Sequence, residues 1–382
     1  HECLPVPVGA ALNRLIEKIR RIAGDRLGGE AHPGQTPFAA AARGKLILLA
    51  AGLAAMWYLA TPAALTNEER ALWEKVRSAQ LHMASWRVRE GTASGPDSDP
   101  WDCGLIGVEW SGITTTLGDL SSKRTACNPA WAVQFSRWFR QLGLEKGDRV
   151  AIYSSASFPG LLLNAIAATE ALQLEPLLIV SLGASTWGAN HLRSPWPALS
   201  AELRRGGFML TKADYYTLGG GAELGHGLSP EGLELLKTAA EDAGVELLSA
   251  NGLQEMIALK AGLLRDHGAQ LLVNIGGSHA NLGDAETVLN LTPGLLAGND
   301  LDNAGNGVIG AAVDMNIRVI HMLNIKSVSH SVGIPYDSTP RESGPVRVHA
   351  GWSVTGVLLF FIVLFRHKRW SLATSGSQAG SR

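Results

Sequence analysis

The chain has 382 residues and a formal net charge of −1, with 33 basic and 34 acidic side chains. This balance excludes the strongly basic composition typical of nucleic-acid-binding proteins, so no nucleic-acid partner is expected. The 44 glycines fit an α/β protein with many tight turns. The length gives room for one large domain or two ordinary ones. The three cysteines show no metal-ligand spacing. Cys103 and Cys127 are the conceivable disulfide pair, and two idle thiols are the alternative.

The N-terminal part of the chain has the pattern of a membrane anchor. Residues 1–45 are basic and broken by Gly and Pro, and we interpret them as a cytoplasmic segment. The uncharged run LILLAAGLAAMWYLA follows, and the span 46–65 approaches the ~20 residues that a transmembrane helix needs. Basic residues directly before the run and an aromatic pair near its far end favour a transmembrane helix over a buried core helix.

A second apolar run, WSVTGVLLFFIVLF, ends at Phe365 and is followed at once by RHKRW. We predict a transmembrane helix at 349–365 and a basic cytoplasmic tail at 366–382. Basic residues before the first span and after the second place both termini in the cytoplasm. The expectation is therefore a two-span protein of the cell membrane with its main domain outside the cytoplasm.

The region between the two spans reads as an α/β domain. Residues 66–103 are predicted to form a helix and a Gly-, Ser-, Asp- and Pro-rich linker, and 104–345 to form the domain itself. Apolar runs alternate there with helical segments, which predicts a mostly parallel, Rossmann-like sheet. The strands are almost continuously apolar, so helices should cover both faces of the sheet. The run Phe208-Met209-Leu210 is predicted to be one of the short strands.

The clearest βαβ unit lies between residues 147 and 190. Its first strand breaks into Ser154-Ser155-Ala156-Ser157, and its second breaks into SLGAS, which ends at Ser185. In open α/β sheets, ligands bind outside the carboxyl ends of the strands. Helix N-termini at such turns attract anions, so we predict a site for a carboxylate or a phosphate, with helix capping alone as the alternative for each turn.

The residues assigned to this ligand site share a position at or near a polar strand end. Trp187 is expected to form a wall of the cleft or to fold back on the sheet, and Lys123 to hold a ligand carboxylate or to lie solvated at the surface beside Arg124. The assigned residues are Lys123, Ser154, Ser155, Ser157, Ser185, Trp187, Asn190, Asn274, Gly276, Gly277, Ser278, His279 and Asn324.

A catalytic role for the serine turn is the alternative to binding. The turn lacks the G-x-S-x-G pattern of a nucleophile elbow. A Ser–His–Asp set can nevertheless be drawn, with a pocket lined by hydroxyls as the other interpretation. The catalytic candidates are Ser155, Ser157, His226 and His279, with His321, Asp214 and Asp284 as further members of such a set. The histidines lack a short metal-binding spacing and no nucleotide fingerprint occurs, so neither a metal nor a cofactor is predicted.

Four runs of the sequence resemble the bacterial poly-gamma-glutamate system protein family. They are GITTTLGDLSSKRTACNPAWA, YSSASFPGLLLNAIAATEALQLEPLLIVSLGASTWGANH, LLVNIGGSHANLG and VIHMLNI, and the resemblance covers most of residues 105–335. It implies an accessory membrane protein of poly-gamma-glutamate biosynthesis or export, with the polymer or another polycarboxylate and the other subunits of that system as partners. It implies no particular chemistry.

Three hypotheses therefore stay open. In the first, the domain binds the polymer or a partner subunit. In the second, it is a serine-dependent hydrolase or transferase that cuts or releases the polymer. In the third, it is a non-catalytic assembly scaffold. One departure from the family pattern is His226, which stands in a Gly-rich loop where an acidic or small residue is expected.

Overall fold

The computed structural model of the protein describes Gly52 and residues 65–342. Both predicted transmembrane segments, the basic N-terminal segment and the basic tail lie outside this part of the chain, apart from Gly52 and Leu65. Within residues 65–342, none of the helices is both long enough and apolar enough to cross a bilayer.

Helices and strands alternate along the described chain. The strands are β1 (Thr114–Thr116), β2 (Arg149–Ser155), β3 (Glu175–Ser181), β4 (Ala184–Ser185), β5 (Tyr215–Thr217), β6 (Glu246–Leu247), β7 (Leu271–Ile275), β8 (Gly294–Leu295) and β9 (Arg318–Met322). The helices are α1 (Asn67–Arg89), α2 (Leu120–Ala126), α3 (Ala130–Gln141), α4 (Pro159–Ala171), α5 (Trp196–Arg205), α6 (Pro230–Asp242), α7 (Leu253–His267), α8 (His279–Leu282), α9 (Asn299–Asp302), α10 (Val308–Asp314) and α11 (Ile325–Val332), with a 3₁₀ turn at Glu286–Asn290.

Seven strands form the central sheet in the order β6-β5-β3-β2-β7-β9-β8. Every neighbouring pair is parallel except β8 and β9 at one edge. The predicted mostly parallel, Rossmann-like α/β fold is confirmed. From β2 the chain builds the sheet first toward β6 and then, through β7, toward β8. The strand order therefore reverses between β2 and β7, and their carboxyl ends flank the crevice where such folds bind ligands.

Helices pack on both faces of the sheet, as the apolar strands predict. Successive side chains of a strand point to opposite faces. Val150 and Ile152 of β2 accordingly join the apolar cluster that contains α3 and α4. Ala151 and Tyr153 join the cluster that contains α7 and α10. Strands β1 and β4 form a separate two-stranded parallel sheet beside this body.

Helix α1 is part of the same core. Its N-cap is Thr66, whose hydroxyl accepts a hydrogen bond from the Glu69 backbone N–H at 3.2 Å, while the Glu69 carboxylate accepts one from the Thr66 N–H at 3.1 Å. Arg137 of α3 contacts the same carboxylate at 2.7 and 3.0 Å.

A disulfide between Cys103 and Cys127 joins the linker after α1 to the residue that follows α2.

The strand predicted at Phe208-Met209-Leu210 is wrong. The backbone N–H groups of Leu210 and Thr211 donate to the Glu170 carboxylate at 2.7 and 2.9 Å, so they are not available to a strand ladder. Leu210 is exposed. The strand begins later, at Tyr215, where it pairs with Ile179 of β3.

Candidate functional site

A buried lysine lies beside the carboxyl ends of β2 and β4. Lys123 is only 3% exposed. Its Nζ donates to the Ser157 carbonyl at 2.6 Å and to the Ser185 hydroxyl at 2.7 Å. The same nitrogen lies 3.6 Å from the centroid of the Phe158 ring, a cation–π contact. We call Lys123, Ser155, Ser157, Phe158 and Ser185 the Lys123 cluster.

Hydrogen bonds connect the serines of this cluster to one another. The Ser155 hydroxyl donates to Ser157 Oγ at 2.7 Å, and Ser157 Oγ accepts the Ser185 backbone N–H at 2.9 Å. All three serines are buried. The structure thus brings together four of the residues that the sequence analysis assigned to the ligand site: Lys123, Ser155, Ser157 and Ser185.

The electrostatics of Lys123 are unusual for a lysine. Burial lowers its pKa to about 7, and the charge of Asp119 opposes this effect only in part. No ion pair between residues 65 and 342 includes Lys123. A buried cation without an anionic partner favours either loss of its proton or the binding of an anion.

Close backbone packing holds the cluster together. A Cβ at Gly118 would lie 2.8 Å from Ser185 Oγ and 3.1 Å from Lys123 Cε, so only glycine leaves both groups undisturbed.

Trp187, two residues after Ser185, has a left-handed backbone conformation with φ 63°, which is rare for a bulky side chain. Its backbone is held by Val108, whose carbonyl accepts the Trp187 N–H at 2.8 Å. Trp187 packs in part against the core, as its second interpretation proposed.

Asn190 anchors the loop that holds Trp187. Its amide accepts the Val108 N–H at 2.9 Å and donates to the Val108 carbonyl at 2.8 Å and to Thr114 Oγ1 at 2.9 Å. The side chain is completely buried. These contacts satisfy the amide inside the protein, so Asn190 positions the loop rather than facing the Lys123 cluster.

A second buried group lies farther along the same edge, around Glu223. The Gly-rich loop after β5 places Glu223 in a left-handed conformation with φ 62°, and its neighbour Ala222 has φ 55°. The Glu223 carboxylate accepts hydrogen bonds from Ser181 Oγ at 2.6 Å, Thr217 Oγ1 at 2.6 Å, Lys260 Nζ at 2.8 and 3.1 Å, the Ala280 N–H at 3.2 Å and Ser278 Oγ. We call Glu223 and these contacts the Glu223 cluster.

The Glu223 cluster is a buried ion pair. Glu223 and Lys260 are 0% and 1% exposed at their side chains. Burial alone would raise the pKa of Glu223, but the charge of Lys260 and the surrounding hydrogen bonds outweigh it and lower the pKa to about 2. Glu223 is therefore ionised at neutral pH, and Ser278, assigned to the ligand site, binds this internal carboxylate.

The predicted histidine candidates do not reach a serine. His279 Nδ1 accepts the Ala222 N–H at 3.0 Å, which leaves Nε2 to donate to Asp284 at 3.1 Å. His226 is exposed at the surface of the loop. Within the described chain, no hydrogen bond joins a serine hydroxyl to a histidine ring, so the structure assembles no Ser–His–Asp set. Asp214 instead accepts the Leu178 N–H at 2.7 Å.

The remaining assigned residues have structural contacts. The Asn274 amide donates to His321 Nδ1 at 3.1 Å and accepts from Asn281 at 2.8 Å, and burial lowers the pKa of His321 to about 4. Asn324 caps α11 by accepting the Ser327 N–H at 3.0 Å, which is the capping alternative.

The remaining assigned residues lie at the carboxyl end of β2 and in the turn after β7. The Ser154 hydroxyl donates to the Ser155 carbonyl at 3.1 Å. A Cβ at Gly276 would lie 3.1 Å from the Cβ of Ser155, so the turn after β7 approaches the turn after β2 closely. Gly277 is exposed.

The two charged residues of the Glu223 cluster, Glu223 and Lys260, were missed by the sequence analysis. Lys260 lies on the buried face of α7 with Met256, Ile257 and Leu264. A lysine at an apolar position of a helical repeat was the available signal for it. For Glu223, the available signal was an acidic residue in a glycine-rich run.

No metal site is formed by the described residues: His, Cys, Asp and Glu side chains there make no group of three that could hold an ion. Comparisons with protein-family models, with curated proteins and with solved structures found no match for the chain.

Proposed function

We propose that the protein is a membrane-anchored accessory component of poly-gamma-glutamate biosynthesis or export, and that its α/β domain binds a carboxylate of the polymer at the Lys123 cluster. The observation that carries the binding site is the buried Lys123 ammonium, which contacts hydroxyl and carbonyl oxygens but no carboxylate among residues 65–342. The pathway, the membrane anchor and the partner subunits rest on the resemblance and on the two apolar runs.

A carboxylate suits this cluster for electrostatic and geometric reasons. A bound anion compensates the cost of burying the ammonium, and serine hydroxyls donate readily to carboxylate oxygens. The cluster lies beside the carboxyl end of β2, where the strand order reverses. In a γ-linked polymer of glutamate, every residue carries one free carboxylate, so a single-carboxylate site fits its repeating unit.

Direct binding tests this proposal. The full-length protein in detergent is titrated with oligomeric poly-gamma-glutamate, and the same titration is made with Lys123→Met, which keeps the length of the side chain. Loss of a charge-assisted contact of about 1.5–3 kcal/mol predicts roughly ten- to hundredfold weaker binding. Lys212→Met is the matched control, because Lys212 is exposed. Equal affinity of all three proteins contradicts the site and favours the scaffold hypothesis.

A serine-dependent hydrolase or transferase is the second candidate, and one contact favours it. Lys123 Nζ lies 2.7 Å from Ser185 Oγ, and a lysine whose pKa is about 7 is largely available as a base at slightly alkaline pH. The neutral amine would take the Ser185 proton as Oγ attacks an amide carbonyl, and would return it to the leaving amine. Water would then release the acyl group from Ser185.

This mechanism makes Ser185, rather than Ser155 or Ser157, the nucleophile. Binding is the first proposal because the backbone N–H groups beside Ser185 are already paired. The Ser185 N–H donates to Ser157 Oγ at 2.9 Å, and the Thr186 N–H donates to the Thr116 carbonyl at 3.0 Å. Neither is available to stabilise an oxyanion. Polymer cleavage that is lost in Ser185→Ala but kept in Ser155→Ala would establish the second candidate.

A further inference from the structure

The Glu223 carboxylate occupies a cradle that the rest of the fold builds. Its donors come from three parts of the body: Ser181 ends β3, Thr217 ends β5, and Lys260 lies on α7. None of these elements belongs to the Gly-rich loop. The cradle has the composition of a carboxylate-binding site, with one cation, several hydroxyl donors and one backbone N–H.

The segment 219–227 that carries Glu223 has few other polar connections to the body, while the side chain of Leu224 packs against the apolar cluster that contains α7. Its hydrogen bonds to the sheet and the flanking helices come from the Glu223 side chain and from the Ala222 N–H, which donates to His279. Its remaining hydrogen bonds are local, such as the one from the Gly225 N–H to the Gly219 carbonyl at 2.7 Å. The side chain of Glu223 is therefore the main polar anchor of the segment.

The backbone of this segment is also strained. Ala222 and Glu223 both carry a Cβ and both have a positive φ, at 55° and 62°. Left-handed conformations are unfavourable for such residues and persist where surrounding contacts enforce them. Release of Glu223 from the cradle would relieve this strain, while an incoming carboxylate would regain the contacts that Glu223 gives up.

We propose that segment 219–227 is a displaceable plug, and that the cradle under it binds a carboxylate on a short alkyl stem in exchange for the Glu223 side chain. The ligand class follows from the present occupant, because a glutamate side chain is a carboxylate on two methylene groups. Exchange couples binding at this edge of the sheet to opening of the segment. This inference uses no residue of the Lys123 cluster and does not depend on the function proposed for it.

The first test removes the Glu223 side chain from the cradle. In full-length Glu223→Gly, the backbone conformation remains allowed and the cradle loses its anion. Thermal unfolding is measured with propionate and with propionamide, which has a similar shape without the charge. The melting temperature should fall in the variant and rise again with propionate in a concentration-dependent way, but not with propionamide. Glu109→Gly, at an exposed position, is the matched control and should show no rescue.

The second test uses the wild-type protein, so its main result does not depend on the folding of Glu223→Gly. Hydrogen exchange of the amides at 219–227 is measured with propionate and with propionamide. Propionate should accelerate exchange there severalfold and leave α7 unchanged, and His279→Ala should lower the concentration required, because it removes the acceptor for the Ala222 N–H. Absence of rescue in a folded Glu223→Gly, or unchanged exchange at saturating propionate, would overturn the proposal.

Discussion

Lys123 Nζ and Ser185 Oγ lie 2.7 Å apart in the buried edge of the sheet, although they are 62 positions apart in the sequence. The lysine comes from α2 and the serine from β4, and the turn after β2 lies beside both. Burial of the amine between these elements lowers the pKa of Lys123 to about 7.

The stability of the protein should depend on the charge of Lys123. Its pKa is lowered from 10.5 to about 7 in the folded state, so between these values the unfolded chain binds more protons. The free energy of unfolding should therefore rise with pH from about 7 to 10.5, by at most about 1.4 kcal/mol per pH unit from this residue. Urea denaturation at a series of pH values should show this slope in the wild type and lose it in Lys123→Met. Identical slopes would contradict the burial of a titrating amine.

Carboxylate binding should weaken with pH over the same interval. Only the protonated amine attracts an anion, so affinity should be constant below pH 7 and fall by up to tenfold per pH unit above it. Titration with oligomeric poly-gamma-glutamate from pH 6 to pH 9 measures this. A flat profile would place the binding group elsewhere.

Gly118→Ala should disturb the Lys123 cluster. The new methyl group would lie 2.8 Å from Ser185 Oγ, so either Ser185 or α2 must shift. We expect a loss of stability of about 1–3 kcal/mol, as for other overpacked sites, together with weaker carboxylate binding. Gly95→Ala is the control, since Gly95 is exposed and its Cβ would meet no described atom within 4 Å. Unchanged binding in both variants would mean that the spacing between α2 and β4 is not critical.

The conformation of Trp187 predicts an unusual order of two substitutions. Both Trp187→Gly and Trp187→Ala remove the packing of the ring, but only glycine adopts φ 63° without cost. The glycine variant should therefore be more stable than the alanine variant by about 1 kcal/mol. Chemical denaturation of the two proteins gives the difference. An alanine variant of equal or greater stability would show that the turn relaxes.

The Glu223–Lys260 pair should be strongly coupled. Lys260→Met alone leaves a buried carboxylate without its cation, which costs about 3–5 kcal/mol. Adding Glu223→Gln removes the uncompensated charge, so the double variant should be more stable than Lys260→Met. A double-mutant cycle measured by urea denaturation tests this. Additive losses would mean that the two charges do not stabilise each other.

Part of the structure could be predicted from local sequence pattern. Apolar runs broken by Ser predicted the two strands that end at Ser155 and Ser181, because a buried parallel strand and its polar end leave a continuous signal. The same logic placed Ser155, Ser157 and Ser185 at one edge. It failed at Leu210, where contacts with Glu170 replace strand pairing.

The chemistry of the site depends on contacts that local sequence does not determine. Lys123 and Arg124 are neighbours in the same polar run, yet Lys123 is buried while Arg124 forms an ion pair with Asp337 at 3.4 Å. Only the packing of α2 against the turn after β2 distinguishes them. Glu223 and Lys260 are 37 positions apart and meet because the loop after β5 places the Glu223 carboxylate against α7.

The ionisation of Lys123 is the property that reports directly on carboxylate binding at this lysine. Full-length protein with isotope-labelled lysine is titrated by NMR with and without poly-gamma-glutamate, and Lys123→Met assigns the signal. Carboxylate binding at Lys123 predicts a pKa of about 7 for this lysine in the free protein and a clear rise when the polymer is bound, because a carboxylate stabilises the ammonium. A pKa of Lys123 that stays the same at saturating polymer would contradict it.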